Sequence, residues 1–88
     1  MAKIKKPAQY SIKDSDTYSG RMQHVLVTGG PVNVRSAPGM GNKIIGVVCT
    51  GDKLVYQDMT NTVDGVKWYL VIYNNENGWI SGDFSELA

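Results

Sequence analysis

The sequence predicts an all-β domain, and three observations predict it. From His24 onward, short apolar runs alternate with turn-forming residues about every ten positions, the spacing of a small sandwich or barrel. Within the runs apolar residues recur at every second place, as in Val32-Asn33-Val34-Arg35, so that alternate side chains share one face of a strand. No stretch carries the helical period over a useful length.

The elements follow in order. His24-Val25-Leu26-Val27-Thr28 is the first strand, closed by Gly29-Gly30-Pro31. In the second, Val32 and Val34 face the core and Asn33 and Arg35 share the opposite face. Pro38-Gly39 and Gly41-Asn42 supply the turn chemistry of a loop, and Lys43 to Val48 is the next strand. Gly51-Asp52 turns the chain into Lys53-Leu54-Val55-Tyr56-Gln57. Asp58 to Asp64 reads as a polar loop that ends in the hairpin dipeptide Asp64-Gly65. Lys67 to Tyr73 is the longest predicted strand, Asn74 to Gly78 a second hairpin loop, and Trp79-Ile80-Ser81 a short strand after it. The tail from Gly82 to Leu87 predicts a helical turn with Phe84 and Leu87 folded onto the core.

Composition shifts near residue 24. Residues 1–23 are polar and show neither period, which predicts a linker or loosely docked arm ahead of a single domain at 24–88. A competing reading makes Tyr10 to Ile12 an extra edge strand, or docks the arm through Tyr10 and Tyr18. A chain of 88 residues supports one domain with a small core. A net charge of +1 with 19% charged residues argues against electrostatic capture of nucleic acid or an anionic membrane. No apolar run reaches the roughly 20 residues of a membrane span. Lys3, Lys5 and Lys6 are followed by Pro7-Ala8-Gln9-Tyr10, which is not a secretory signal. The chain is then expected to act inside the cell, to leave by lysis, or to be cut from a larger exported protein.

Catalytic chemistry is hard to assemble from these residues. His24 is the only histidine and Cys49 the only cysteine, each within a run that reads as strand, so a nucleophile–base pair is not expected. Cys49 predicts a buried, inert thiol, and no disulfide is possible within the chain. Metal-ligand spacing is lacking, and Asp14-Ser15-Asp16 lacks the rest of a calcium loop, so neither metal nor cofactor is expected. The glycines at 29–30 and 39–41 lie between strands, with no helix N-terminus to complete a phosphate cradle. Binding is easier to build. Tyr56, Trp68, Tyr69, Tyr73 and Trp79 are five of the eight aromatic residues, and such side chains suit a shallow groove as well as a small core. Asn33 and Arg35 offer an amide and a guanidinium to a ligand backbone or carboxylate. The alternative is that Arg35 anchors the loop from Ser36 to Met40 through backbone carbonyls.

Five segments in order resemble the bacterial SH3-like (SH3b) domain family: Val32 to Pro38, Lys43 to Gly46, Gly51 to Leu54, Trp68 to Val71, and Gly78 to Ile80. The resemblance spans about residues 25 to 87. It implies a small SH3-like barrel of five to seven short antiparallel strands. It also implies a non-catalytic module that binds the peptide portion of peptidoglycan and targets a cell-wall hydrolase or phage lysin. Candidate ligand residues are Asn33, Arg35, Trp68, Tyr73 and Trp79. The location would be the cell wall or extracellular space, as part of a larger protein or after lysis. Pro-rich recognition of the eukaryotic SH3 type is disfavoured, because the loop from Ser36 to Asn42 has no carboxylate to attract a ligand arginine.

One segment departs from the family. Trp68-Tyr69-Leu70-Val71-Ile72-Tyr73 is apolar on both faces where the family commonly places Lys or Arg at the positions of Leu70 and Ile72. Tyr69, Val71 and Tyr73 are expected in the core, leaving Trp68, Leu70 and Ile72 as an exposed apolar face. That face predicts the alternative function, a standalone interaction or dimerisation domain, cytoplasmic, with a phage as one source.

Overall fold

A computed structural model describes residues 23–88. The expected linker or arm at 1–23, with its Tyr10 and Tyr18 alternatives, lies outside the described residues except for Gln23. Seven strands form one antiparallel sheet: β1 (His24–Val27), β2 (Val32–Arg35), β3 (Ile44–Val48), β4 (Lys53–Val63), β5 (Val66–Tyr73), β6 (Glu76–Ser81) and β7 (Ser85–Leu87). The spatial order is β3-β2-β6-β5-β4-β1-β7. The sheet is open, with β3 and β7 as its edges, an arrangement consistent with the expected SH3-like fold.

The period-two pattern decides which face closes on the core. Val25 and Val27 of β1, Val34 of β2, Val71 of β5 and Ile80 of β6 are all at most 1% exposed. They join Val32, Val48, Leu54 and Tyr69 in one cluster, so the sheet curls until its strands share a single interior. Burying each such aliphatic side chain stabilises the fold by roughly 1.5–3 kcal/mol relative to exposure. Tyr56 and Tyr69 meet edge to face, with ring centroids 5.8 Å apart, and seal one side of this interior.

Both tight hairpins turn on left-handed residue pairs. Asp64 and Gly65 have φ of 52° and 80°, and Asn74 and Asn75 have φ of 48° and 65°. Two-residue loops with positive φ at both positions match the right-handed twist of the strands they join. The second turn is therefore shorter than the predicted loop, since Glu76 already pairs with Tyr73.

Three expectations are corrected. The longest strand is β4, with 11 residues against eight in β5, because Thr60 to Val63 pair with β5 instead of forming a loop. These residues extend the hairpin beyond the core, where exposure on both faces removes the apolar alternation that marks a strand. The register shifts between Tyr56 and Thr60, where Asp58 takes φ 55°. Second, the tail is no helical turn: Ser85 to Leu87 pair with β1 as a strand. Ser85 Oγ donates to the Ser81 carbonyl at 2.6 Å and fixes the corner before it. Phe84 and Leu87 stay 47% and 40% exposed. Third, Cys49 is exposed. It opens a turn in which its N–H donates to the Asp52 carboxylate at 2.8 Å, while the Asp52 N–H donates back to its carbonyl at 3.0 Å.

Candidate binding cleft

Away from the core, the outer face of β2, β6 and β5 carries the site. Arg35 pairs with Trp79, Trp79 with Leu70, and Trp68 with Ser81. Directly opposed residues in an antiparallel pair project to the same side. Arg35, Trp79 and Leu70 thus make one row across three strands, with Trp68 and Ser81 in the next.

Trp68 does not belong to an exposed apolar face, as its alternation with Tyr69 predicted; it is 2% exposed. Its ring forms part of the wall of a cleft of about 130 Å³. Pro31, Asn33, Arg35, Met40 and Phe84 line the remainder, together with Ser81. Pro31 comes from the segment before β2, Met40 from the loop after it, and Phe84 from the corner between β6 and β7. Phe84 packs next to Gly29, where a Cβ would sit 3.4 Å from its ring. The Gly29 and Thr28 N–H groups both donate to the Phe84 carbonyl, at 3.1 and 2.9 Å.

Arg35 is 8% exposed, and its Nη1 donates to the Asn42 carbonyl at 2.8 Å. Asn42 in turn donates its side-chain amide to the Pro38 and Gly39 carbonyls, at 2.8 and 3.3 Å. The Ser36 N–H closes the base of the loop on the Lys43 carbonyl at 2.9 Å. Arg35 therefore does anchor the loop through a backbone carbonyl. The same side chain also lines the cleft, so the two readings of Arg35 coexist in one residue.

The five candidate ligand residues separate into three groups. Asn33, Arg35 and Trp68 line the cleft together. Trp79 lies on the same face at 9% exposure, between Arg35 and Leu70, outside the cleft lining. Tyr73 is on the other face: it packs against the core with Ile45, and a Cβ added to Gly46 would overlap its ring. Of the expected exposed face, Leu70 is half-buried and Ile72 is 41% exposed. Sequence reasoning missed Pro31, Met40 and Phe84. Met40 had a signal, since an apolar residue in a Pro-Gly-Met-Gly turn has no core to fill; Phe84 was assigned inward by its tail's misread conformation.

Among the described residues, the lining holds one cation and no carboxylate, with an amide, a hydroxyl and an apolar rim around it. Among the described residues, no group of three or more His, Cys, Asp or Glu is placed to hold a metal ion. No described helix is long and apolar enough to cross a membrane.

A small curled sheet with a recessed polar-and-aromatic cleft on its outer face defines a compact β-module. The chain belongs to the bacterial SH3 domain family, whose model matches residues 30–86, well over half of its length. Domains of this family are generally binding modules without catalytic activity. No curated protein and no solved structure gives a significant match to this chain.

Proposed function

We propose that this chain is a non-catalytic binding module that takes the peptide portion of bacterial peptidoglycan into the cleft beside β2, and so targets a cell-wall hydrolase or lysin to its substrate. The observation that carries the reading is the convergence of Asn33, Arg35 and Trp68 on one recess. A guanidinium and an amide suit peptide carbonyls and carboxylates, while an indole wall and the apolar rim of Pro31, Met40 and Phe84 suit short side chains. The volume of about 130 Å³ falls below the roughly 300–1,000 Å³ of sites that enclose a whole small molecule. Such a cleft takes one end or one residue of an extended ligand and leaves the rest along the face. Its place of action is the wall, reached within a larger protein or after lysis. Co-sedimentation with purified peptidoglycan is the test: the full chain is expected in the pellet, and Asn33→Ala is expected to reduce that fraction. Failure to pellet with walls of any Gram-positive type would sink the reading.

A second reading rests on Ile72, which is 41% exposed on the same outer face, and on Ile44 and Val47 of edge strand β3, 48% and 53% exposed. These support a standalone domain that pairs with a second copy or another protein. Its dimer form predicts a mass that rises with concentration and that Ile72→Lys holds at the monomer value.

A further inference from the structure

We propose that the cleft is a socket for a free chain-terminal carboxylate on a small residue, so that the module binds the end of a peptide and not its middle. This rests on the proposed peptide-binding role of the cleft and names the group recognised there. Four observations carry it.

The cleft holds a positive charge that nothing described neutralises. Arg35 is more than nine-tenths buried, and the hydrogen bond it makes among the described residues goes to a neutral acceptor, the Asn42 carbonyl. A guanidinium has five N–H donors in a planar fork. Anchoring through Nη1 leaves the other donors without a partner among the described residues on a side chain that lines the cleft, and a planar two-oxygen anion matches that fork.

The surroundings suit an anion of limited size. Among the described residues no Asp or Glu is in the lining, so no described carboxylate competes for Arg35. Asn33, exposed at the mouth, adds an amide that makes no hydrogen bond to any described residue.

The guanidinium is held in place before any ligand arrives. The bonds from Arg35 to Asn42 and from Asn42 to Pro38 and Gly39 fix the loop that carries Met40. A fixed donor loses less freedom on binding than a mobile one.

The available space is small. Trp68, Met40, Pro31 and Phe84 line about 130 Å³, which accommodates a methyl-sized side chain next to the carboxylate. A mid-chain peptide unit offers a neutral carbonyl in place of the anion, whereas a terminus supplies the charge.

The experiment titrates the full chain with acetylated dipeptides while recording Trp68 and Asn33 side-chain N–H signals by NMR. The probes are acetyl-D-Ala-D-Ala, acetyl-L-Ala-L-Ala and the C-terminal amide of each. At least one free acid is expected to bind in about the millimolar range, with its amide about tenfold weaker or worse. Preference for the D acid assigns the terminus to a wall peptide, and preference for the L acid to a ribosomally made protein. Arg35→Lys is expected to weaken acid binding about tenfold, because an ammonium lacks the fork. Should that variant unfold, Asn33→Ala at the exposed mouth and the acid–amide comparison on the unaltered chain still decide the matter. Equal binding of acid and amide, or no binding of either acid at about 10 mM, overturns the inference. If the chain still pellets with peptidoglycan in that case, the wall-binding role survives and only the terminal-carboxylate assignment falls.

Discussion

Arg35 does two things with one guanidinium, and this sets what its replacement should do. Arg35→Ala removes a charge-assisted hydrogen bond to the Asn42 carbonyl and leaves that carbonyl and the loop around Met40 without their tie. The expected destabilisation is about 1.5–3 kcal/mol, seen as a lower denaturation midpoint. Asn33, exposed and without a described partner, should cost under about 0.5 kcal/mol when replaced by Ala, although the proposed binding role predicts that both changes weaken ligand binding. Tyr56 gives a prediction in pH. Burial first, then the charge of Asp58, then Tyr69, hold its phenol above the ordinary value. Since the folded value exceeds the unfolded one near 10, the neutral phenol's contribution to stability is fully present below about pH 10 and is lost as pH rises through the folded value. Denaturation midpoints of Tyr56→Phe and the unaltered chain should therefore diverge in alkali, with the Phe variant losing less.

At the scale of elements, the hairpins and the cleft depend on backbone that few residues tolerate. Gly65 at φ 80° should not accept a β-branched side chain, and Gly65→Val is expected to cost about 1–2 kcal/mol. Asn75→Gly, at φ 65°, should leave stability unchanged or raise it slightly. Gly46→Ala forces the Tyr73 ring to move and should cost about 1–3 kcal/mol; pairing it with Tyr73→Ala should recover part of that loss. Urea titrations of the single and double variants check both. These elements also show what was legible before the structure. The inward alternation of Val32 and Val34 and the turn at Asp64-Gly65 are local signals, and both hold. The extension of β4 through Thr60 to Val63 was hidden, because a hairpin tip exposed on both faces has no reason to alternate. The tail was ambiguous for the opposite reason: Ser85 to Leu87 is too short for any period to show, and its pairing with β1 is a contact across some 60 residues of chain.

Across the whole molecule, one small core holds both the fold and the cleft. The nine residues of that core come from every strand except β7, so a void in it should lower the stability of the entire sheet. Ile80 is fully buried beneath the face that carries Trp79 and Ser81; Ile80→Ala is expected to cost about 2–5 kcal/mol, a large share of the roughly 5–15 kcal/mol available to a domain. Calorimetry should report it as one cooperative transition at lower temperature. The site was less legible than the fold on this scale. Asn33 and Arg35 could be paired from their shared strand face, but the recess around Trp68 also takes in Phe84 and Met40, which arrive from distant turns. The core-side placement of Tyr73 was legible from its alternation with Tyr69 and Val71, but not the part of Gly46, whose missing side chain makes room for its ring. The central claim, that the recess between Asn33, Arg35 and Trp68 receives peptide, is tested most directly by mapping backbone and side-chain NMR shifts during titration with soluble peptidoglycan fragments. The account predicts shifts centred on Asn33, Arg35, Met40 and the Trp68 indole, with Tyr73 and Gly46 unmoved. Shifts centred on Tyr73 and the core-side edge, with the recess silent at saturation, would contradict it.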